Sequence, residues 1–193
     1  MPTLRHILAT ASPDGDAASA LRVAESLAHA TGARLTRFPL AERLAPMVGM
    51  AGIEIPRYAE QVHADLVVLP RIHFAGELLA DAVTRRSHVP ALSVASGCED
   101  LSQWLVAVDG SARCRMILSM VMPLVEALDA GMVSLQVRNG DVFAGILREQ
   151  AATGAGVLAI GSRPGGPPPP IPEGSLARRL VNAAACMVLT VPI

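Results

Sequence analysis

The chain has 193 residues, 51% of them hydrophobic and 17% charged, so it can bury a core, and this composition excludes a disordered chain. Its net charge of −1 argues against nucleic acid or an anionic membrane surface as a partner. The three cysteines are far apart and the five histidines are scattered, so we expect neither a disulfide framework nor a metal site. We expect a cytoplasmic protein, because the sequence has no signal-peptide pattern and no apolar run long enough to span a bilayer.

Strands and helices alternate along the first half of the chain. Short apolar runs bounded by turn residues predict strands, and apolar residues at helical spacing predict helices. The predicted strands are 6–11, 34–38, 65–69 and 91–94, and the predicted helices are 17–31, 55–64 and 78–87, with an ambiguous stretch at 41–51. A polar segment at 97–102 then marks a predicted domain boundary.

The same alternation restarts after this boundary. The predicted strands are 104–108, 132–137, 157–160 and 187–191, and the predicted helices are 113–128, 142–152 and 176–185. Landmarks of the two halves correspond at a nearly constant separation, for example Leu92 with Leu189, which indicates an internal repeat.

We therefore predict two tandem α/β domains, 1–97 and 102–193, with four main strands each, mostly parallel sheets and flanking helices. The last strands of the two domains are predicted at 91–94 and 188–191. We expect them to meet about a pseudo-two-fold axis, because a free sheet edge there would be a pairing hazard.

A glycine-rich loop joins the strand at 157–160 to the helix at 176–185. It starts at Gly161 and ends with Gly174 and Ser175. Backbone N–H groups at such a loop and at the following helix start are well placed to hold an anion. The loop therefore predicts a phosphate-type site.

The interior of this loop contains both favourable and unfavourable residues. Gly165 and Gly166 can donate N–H groups, and Arg163 can supply a positive charge. Six prolines lie among them and have no N–H to donate. The alternative is therefore a loop that no longer binds an anion and only connects a strand to a helix, or a loop that docks a protein partner.

Asp109 is a second candidate site residue. It follows the strand at 104–108, at the carboxyl end of the predicted sheet, where ligands of parallel α/β sheets bind. Asp-Gly-Ser at this point is also typical of a cap on the following helix, so the sequence leaves both roles open.

The sequence resembles a tandem form of the universal stress protein family over nearly its whole length, and the second half carries the resemblance best. The segment Val106–Ser111 is similar to the family's first strand and its aspartate, and Asn139–Asp141 is similar to its Gly-Asp turn. The residues from Gly161 to Ser175 have the spacing of the family's nucleotide motif, with Pro164 in place of the middle glycine. The resemblance implies an adenine-nucleotide α-hydrolase-like fold, shortened in each half, and ATP or AMP as the bound cofactor.

The resemblance also assigns roles to particular residues. It implies that Asp109 faces the adenosine and that Val137 lies near the base. It implies that Gly161, Gly174 and Ser175 hold phosphate.

The first half is expected to lack a working site. Ala11 or Ser12 takes the position of the aspartate, and the segment 70–76 is too short to form the glycine loop.

We therefore expect a stress-response protein that binds an adenine nucleotide in its second domain. The alternative is a regulatory or interaction protein of the same fold with a relic site and protein partners at the proline loop. Slow ATP hydrolysis is a third hypothesis, but the sequence supplies no base and no Walker lysine, so we expect no catalytic residues and no enzyme. A homodimer is left open.

Overall fold

The computed structural model describes residues 4–11, 15–39, 51–74, 77–136, 140–162 and 175–193. The strands in these ranges are β1 (His6–Ala11), β2 (Arg34–Pro39), β3 (Leu66–Pro70), β4 (His73–Phe74), β5 (Glu77–Leu78), β6 (Ala91–Val94), β7 (Gln103–Ala107), β8 (Gly131–Leu135), β9 (Val157–Ser162) and β10 (Met187–Pro192). The helices in these ranges are α1 (Gly15–Thr31), α2 (Ala51–Gln61), α3 (Leu79–Ser87), α4 (Cys114–Leu128), α5 (Val142–Thr153) and α6 (Leu176–Ala183). Ser12 and the ambiguous stretch before Ala51 lie outside the described residues.

Eight of the strands form one mixed sheet in the order β2-β1-β3-β6-β10-β9-β7-β8. Neighbouring strands are parallel everywhere except at the centre, where β6 and β10 pair antiparallel with Leu92 opposite Leu189. The predicted α/β class is confirmed, and so is the predicted contact between the two last strands.

The strand order before the centre of the sheet recurs after it. Read from its outer edge, the first half runs β2-β1-β3-β6, and the second half runs β8-β7-β9-β10. Because the central pair is antiparallel, the carboxyl ends of the first four strands and of the last four lie along opposite edges of the sheet. Each of these edges is a row of strand ends, not an outermost strand. The division into two domains at residues 97–102 stays a prediction, since the sheet continues across it.

The two halves share a hydrophobic core on one face of the sheet. α1 and α4 pack side by side over this face, and the buried cluster beneath them takes residues from both halves, including Ile7, Leu92, Trp104 and Leu189. The other face has two clusters, one under α2 and α3 and one under α5 and α6. At the centre of the sheet the hydroxyls of Thr84 and Thr190 are hydrogen-bonded at 2.9 Å.

The predicted bounds of the second helix are wrong, because α2 starts earlier and carries Pro56 in its interior. Proline has no N–H to donate to the carbonyl one turn before it, which belongs to Gly52. In the structure that carbonyl accepts a hydrogen bond from the Arg86 guanidinium of α3 instead. A tertiary contact thus satisfies the carbonyl and lets the helix continue through the proline.

A short hairpin that the sequence did not predict follows β3. His73–Phe74 pairs antiparallel with Glu77–Leu78, and α3 starts immediately afterwards. The hairpin occupies the connection between strand and helix that corresponds to the glycine-rich loop of the second half.

An ion pair attaches the segment after β6 to α1. Glu99 accepts hydrogen bonds from Arg22 Nε and from Ser19 Oγ, both at 2.9 Å. The Arg22 guanidinium, and then the Ser19 hydroxyl, hold the pKa of Glu99 at about 2, below its ordinary 4.5.

We expect Glu99→Gln to lower the free energy of unfolding by a small amount that depends on pH. A carboxyl with a depressed pKa stabilises the fold above pH 4.5, and this contribution is lost as the pH falls towards about 2. The measurement is denaturant unfolding of both proteins across this range, where the difference between them should shrink as the pH falls. A difference that stays constant with pH would contradict the assignment.

Candidate functional site

A cavity of about 210 Å³ opens at the carboxyl ends of β7, β8 and β9. Its walls are the ends of these strands, the first turns of α4, α5 and α6, and the residue after β10: Ala107, Val108, Asp109, Cys114, Ile117, Leu135, Val142, Ile146, Ile160, Gly161, Leu176 and Ile193. Most of these side chains are apolar. Open parallel sheets bind their ligands at this edge.

Asp109 supplies a carboxylate to the cavity wall. Its Oδ1 accepts hydrogen bonds from the Ser111 N–H and from Cys114 Sγ, both at 2.9 Å. The Cys114 thiol, and then Ser111, hold the pKa of Asp109 far below its usual range, so the carboxyl is ionised. The side chain is exposed. Both of these donors bind Oδ1.

The alternative role of Asp109 as the cap of α4 needs a correction. The N-cap of that helix is Arg113, whose side chain makes no capping hydrogen bond. The Asp109 carboxylate instead stabilises the turn before the helix. The hydrogen bond that it accepts from the Cys114 thiol connects this turn to the first residue of α4. The same geometry therefore fixes the position of the carboxylate at the cavity.

Gly161 lies near the end of β9 and lines the same cavity. A Cβ atom at this position would stand 2.5 Å from Ile193 Cδ1 and 3.2 Å from Ile117 Cδ1. The backbone N–H of Ile193 donates to the Ser162 carbonyl at 2.9 Å, which holds Ile193 beside β9. Because Gly161 has no side chain, the space beside it can hold the ends of the two isoleucine side chains and part of the cavity.

The first turns of α5 and α6 complete the rim. Asp141 Oδ1 accepts from the Phe143 N–H at 3.0 Å, and Ser175 Oγ accepts from the Arg178 N–H at 3.3 Å. The Arg179 guanidinium lies over the Phe143 ring, 4.2 Å from its centroid, and so links the two helices. Amino ends of helices carry partial positive charge, so this rim favours an anionic group.

The structure brings Asp109 and Gly161 to one cavity and places Ser175 next to its rim residue Leu176. The other predicted site residues lie outside the described residues: Val137, Arg163, Gly165, Gly166 and Gly174. The sequence reasoning missed Ile193 and Leu135 as lining residues. Leu135 ends β8 and Ile193 directly follows β10, so their positions at strand ends on this edge could have predicted them as lining residues.

The corresponding edge of the first half is built differently. β1 ends at Ala11, and β3 is followed by Arg71, whose guanidinium donates to the carbonyl oxygens of Ala184 and Cys186. An arginine side chain therefore crosses from this edge to the second half.

No group of three or more His, Cys, Asp and Glu side chains in the described ranges is arranged to hold a metal ion. None of the helices in the same ranges has the length and apolar character that a bilayer crossing requires.

Solved structures with this fold are found among the universal stress proteins. One from Archaeoglobus fulgidus DSM 4304 aligns over 98% of this chain and 97% of its own, with a TM-score of 0.74 and 12% identity. A chain assigned to the universal stress proteins from Pseudomonas aeruginosa UCBPP-PA14 aligns over 98% and 93%, with a TM-score of 0.66 and 15% identity. A protein of unknown function from Pseudomonas aeruginosa PAO1 aligns over 98% and 92%, with a TM-score of 0.66 and 14% identity.

No protein-family model and no curated protein matches the sequence of this chain. The structural likeness covers nearly the whole length of this chain and of the three solved structures. The chain therefore has the fold of the universal stress proteins, as its sequence predicted.

Proposed function

We propose that the protein is a stress-response protein that binds an adenine nucleotide, ATP or AMP, in the second half of its sheet. The observation that carries the proposal is the placement of Asp109 and Gly161 in the wall of one apolar cavity at the ligand-binding edge of the sheet. The likeness to universal stress proteins supports the stress-response role. We also propose that the two halves are tandem copies of one domain.

The described residues fit the nucleoside part of such a ligand. Apolar side chains such as Val108 and Ile146 suit the faces of a base, and the ionised Asp109 carboxylate can accept hydrogen bonds from ribose hydroxyls or an amino group. The amino ends of α5 and α6 suit a phosphate group. In this arrangement the residues bind and orient the ligand.

One observation favours a second function, in which the site is a relic and the proline loop binds a protein partner. The N–H groups of Phe143 and Ala144 are already taken by Asp141, and that of Arg178 by Ser175. The six loop prolines remove further donors. Titration of the full chain with ATP and AMP separates the two functions.

We expect Asp109→Asn to weaken binding of AMP and ATP by about tenfold or more, since hydrogen bonds to a charged group are the stronger ones. Asparagine can accept the same hydrogen bond from the Ser111 N–H, so the turn before α4 should persist. The measurement is isothermal titration calorimetry.

The matched control is Asp129→Asn, which removes an exposed carboxylate at the other end of α4. Asp129 has a positive φ, which asparagine adopts readily, so this variant should fold and bind like the wild type. Equal affinities for the Asp109 variant and the wild type would show that Asp109 only fastens the turn. If the wild-type protein gives no binding heat with either nucleotide, the nucleotide proposal fails and the relic function is favoured.

A further inference from the structure

We propose that Cys98 and Cys186 form a reactive dithiol at the centre of the sheet, and that a hydroperoxide oxidises this pair to a disulfide.

The backbone brings the two cysteines to one place. Cys98 follows β6 in a turn that its N–H closes on the Ala95 carbonyl at 3.1 Å. Cys186 directly precedes β10, and the antiparallel register of Val188 with Ser93 continues to place Cys186 beside Ala95.

Side-chain contacts lead to the same place. Cys98 Sγ donates to the carbonyl oxygen of Ala185, the residue before Cys186, at 3.2 Å. Both cysteines line one cavity of about 320 Å³, which is separate from the proposed nucleotide site. Cys98 is partly exposed and Cys186 is buried, so a solvent-borne oxidant reaches Cys98 first.

The third member of the cluster is the Arg71 guanidinium. It donates to the carbonyl oxygens of Ala184 and Cys186, and its Nε is buried without a partner among the described residues. Burial lowers the pKa of Arg71, and attraction to the thiolates of Cys186 and Cys98 opposes this effect. This half-buried cation is close enough to both sulfurs to stabilise the negative charge that a thiol carries while it reacts.

The two sulfur atoms have different roles in the oxidation. The Cys98 thiolate attacks the hydroperoxide, so that an S–O bond forms, the O–O bond breaks, and water or an alcohol leaves. The Cys186 thiol then loses its proton and attacks the sulfenic sulfur of Cys98, so that the S–S bond forms and water leaves. The two thiols are oxidised by two electrons, and one equivalent of hydroperoxide is reduced.

Burial suits Cys186 to the second step. It raises the pKa of the Cys186 thiol to about 11, with the Arg71 charge acting in the opposite direction. Cys186 therefore stays protonated and unreactive towards the oxidant until the sulfenic acid has formed beside it.

The test is peptide mapping of the full chain after treatment with hydrogen peroxide and alkylation of the remaining thiols under denaturing conditions. We expect a peptide pair joined through Cys98 and Cys186, while Cys114 remains a free thiol. In Cys186→Ser the reaction should stop at a sulfenic acid on Cys98 that dimedone traps, and in Cys98→Ser neither product should form.

Arg71→Gln should slow the oxidation several-fold, whereas Arg57→Gln, at an exposed arginine of α2, should leave the rate unchanged. The proposal would be overturned if wild-type Cys98 and Cys186 stay reduced under these conditions, or if disulfides are found only between separate molecules. A dimedone adduct on Cys98 that is equally abundant in wild type and Cys186→Ser would also overturn it, because Cys186 would then have no role.

Discussion

Gly161→Val is expected to abolish the thermal stabilisation that the proposed binding of AMP or ATP should give the wild-type protein. A Cβ atom at this position meets Ile193 Cδ1 at 2.5 Å and Ile117 Cδ1 at 3.2 Å, so these two cavity-lining isoleucines must shift to accommodate the new methyl groups. Both contacts are with the far ends of flexible side chains, so we expect the fold to survive at a cost of about 1–3 kcal/mol of stability. The measurement is the melting temperature with and without nucleotide, followed by calorimetric affinity.

A second substitution at Ile193 provides the control for this prediction. Gly161→Ala should weaken binding less than Gly161→Val, because it adds a single carbon. Combining Gly161→Ala with Ile193→Ala removes the nearest clashing atom, so the double variant should recover part of the lost affinity, as coupled neighbours do. Nucleotide affinity of Gly161→Val equal to that of the wild type would place the ligand elsewhere.

Leu189→Ala is expected to lower the free energy of unfolding by about 2–5 kcal/mol, the usual range for a buried leucine. Leu189 is fully buried and lies opposite Leu92 in the antiparallel pair that joins the two halves. Because the core beneath α1 and α4 takes residues from both halves, we expect the variant still to unfold in a single transition. Urea unfolding is measured by far-ultraviolet circular dichroism for the whole chain and by fluorescence of Trp104, the single tryptophan, for the second half.

Met116→Ala is the matched control for the core substitution. Its side chain, on α4, is 49% exposed, so its loss should change the free energy of unfolding by less than about 0.5 kcal/mol. Separate midpoints for the two spectroscopic signals, or an equally small effect of Leu189→Ala, would contradict a core shared between the halves.

The sequence predicted those elements whose pattern is local. Long apolar stripes indicated α1 and α4, and unbroken apolar runs such as 66–69 and 157–160 indicated buried strands. β4 and β5 have two residues each, which is too short for any periodicity to show. The start of α2 depends on Arg86 serving the Gly52 carbonyl, a contact between helices that no local pattern contains.

The same distinction between local sequence patterns and contacts between distant elements applies to the candidate site. Asp109 and Gly161 could be predicted because each stands at or next to the end of an apolar run, at the edge where parallel sheets bind ligands. Ile193 comes beside Gly161 only through the pairing of β9 with β10, and Arg71 reaches Ala184 only because the halves pair antiparallel. Such contacts follow from the assembled sheet rather than from spacing in the chain.

The most direct test of the account is a nuclear magnetic resonance titration of the wild-type protein with AMP, with its backbone amide signals assigned. We expect the largest shift changes at the cavity of the second half, at Asp109, Cys114, Gly161 and Leu176. Shift changes concentrated instead around Ala11 and Arg71, at the opposite edge of the sheet, would contradict the account, and so would a spectrum that AMP leaves unchanged.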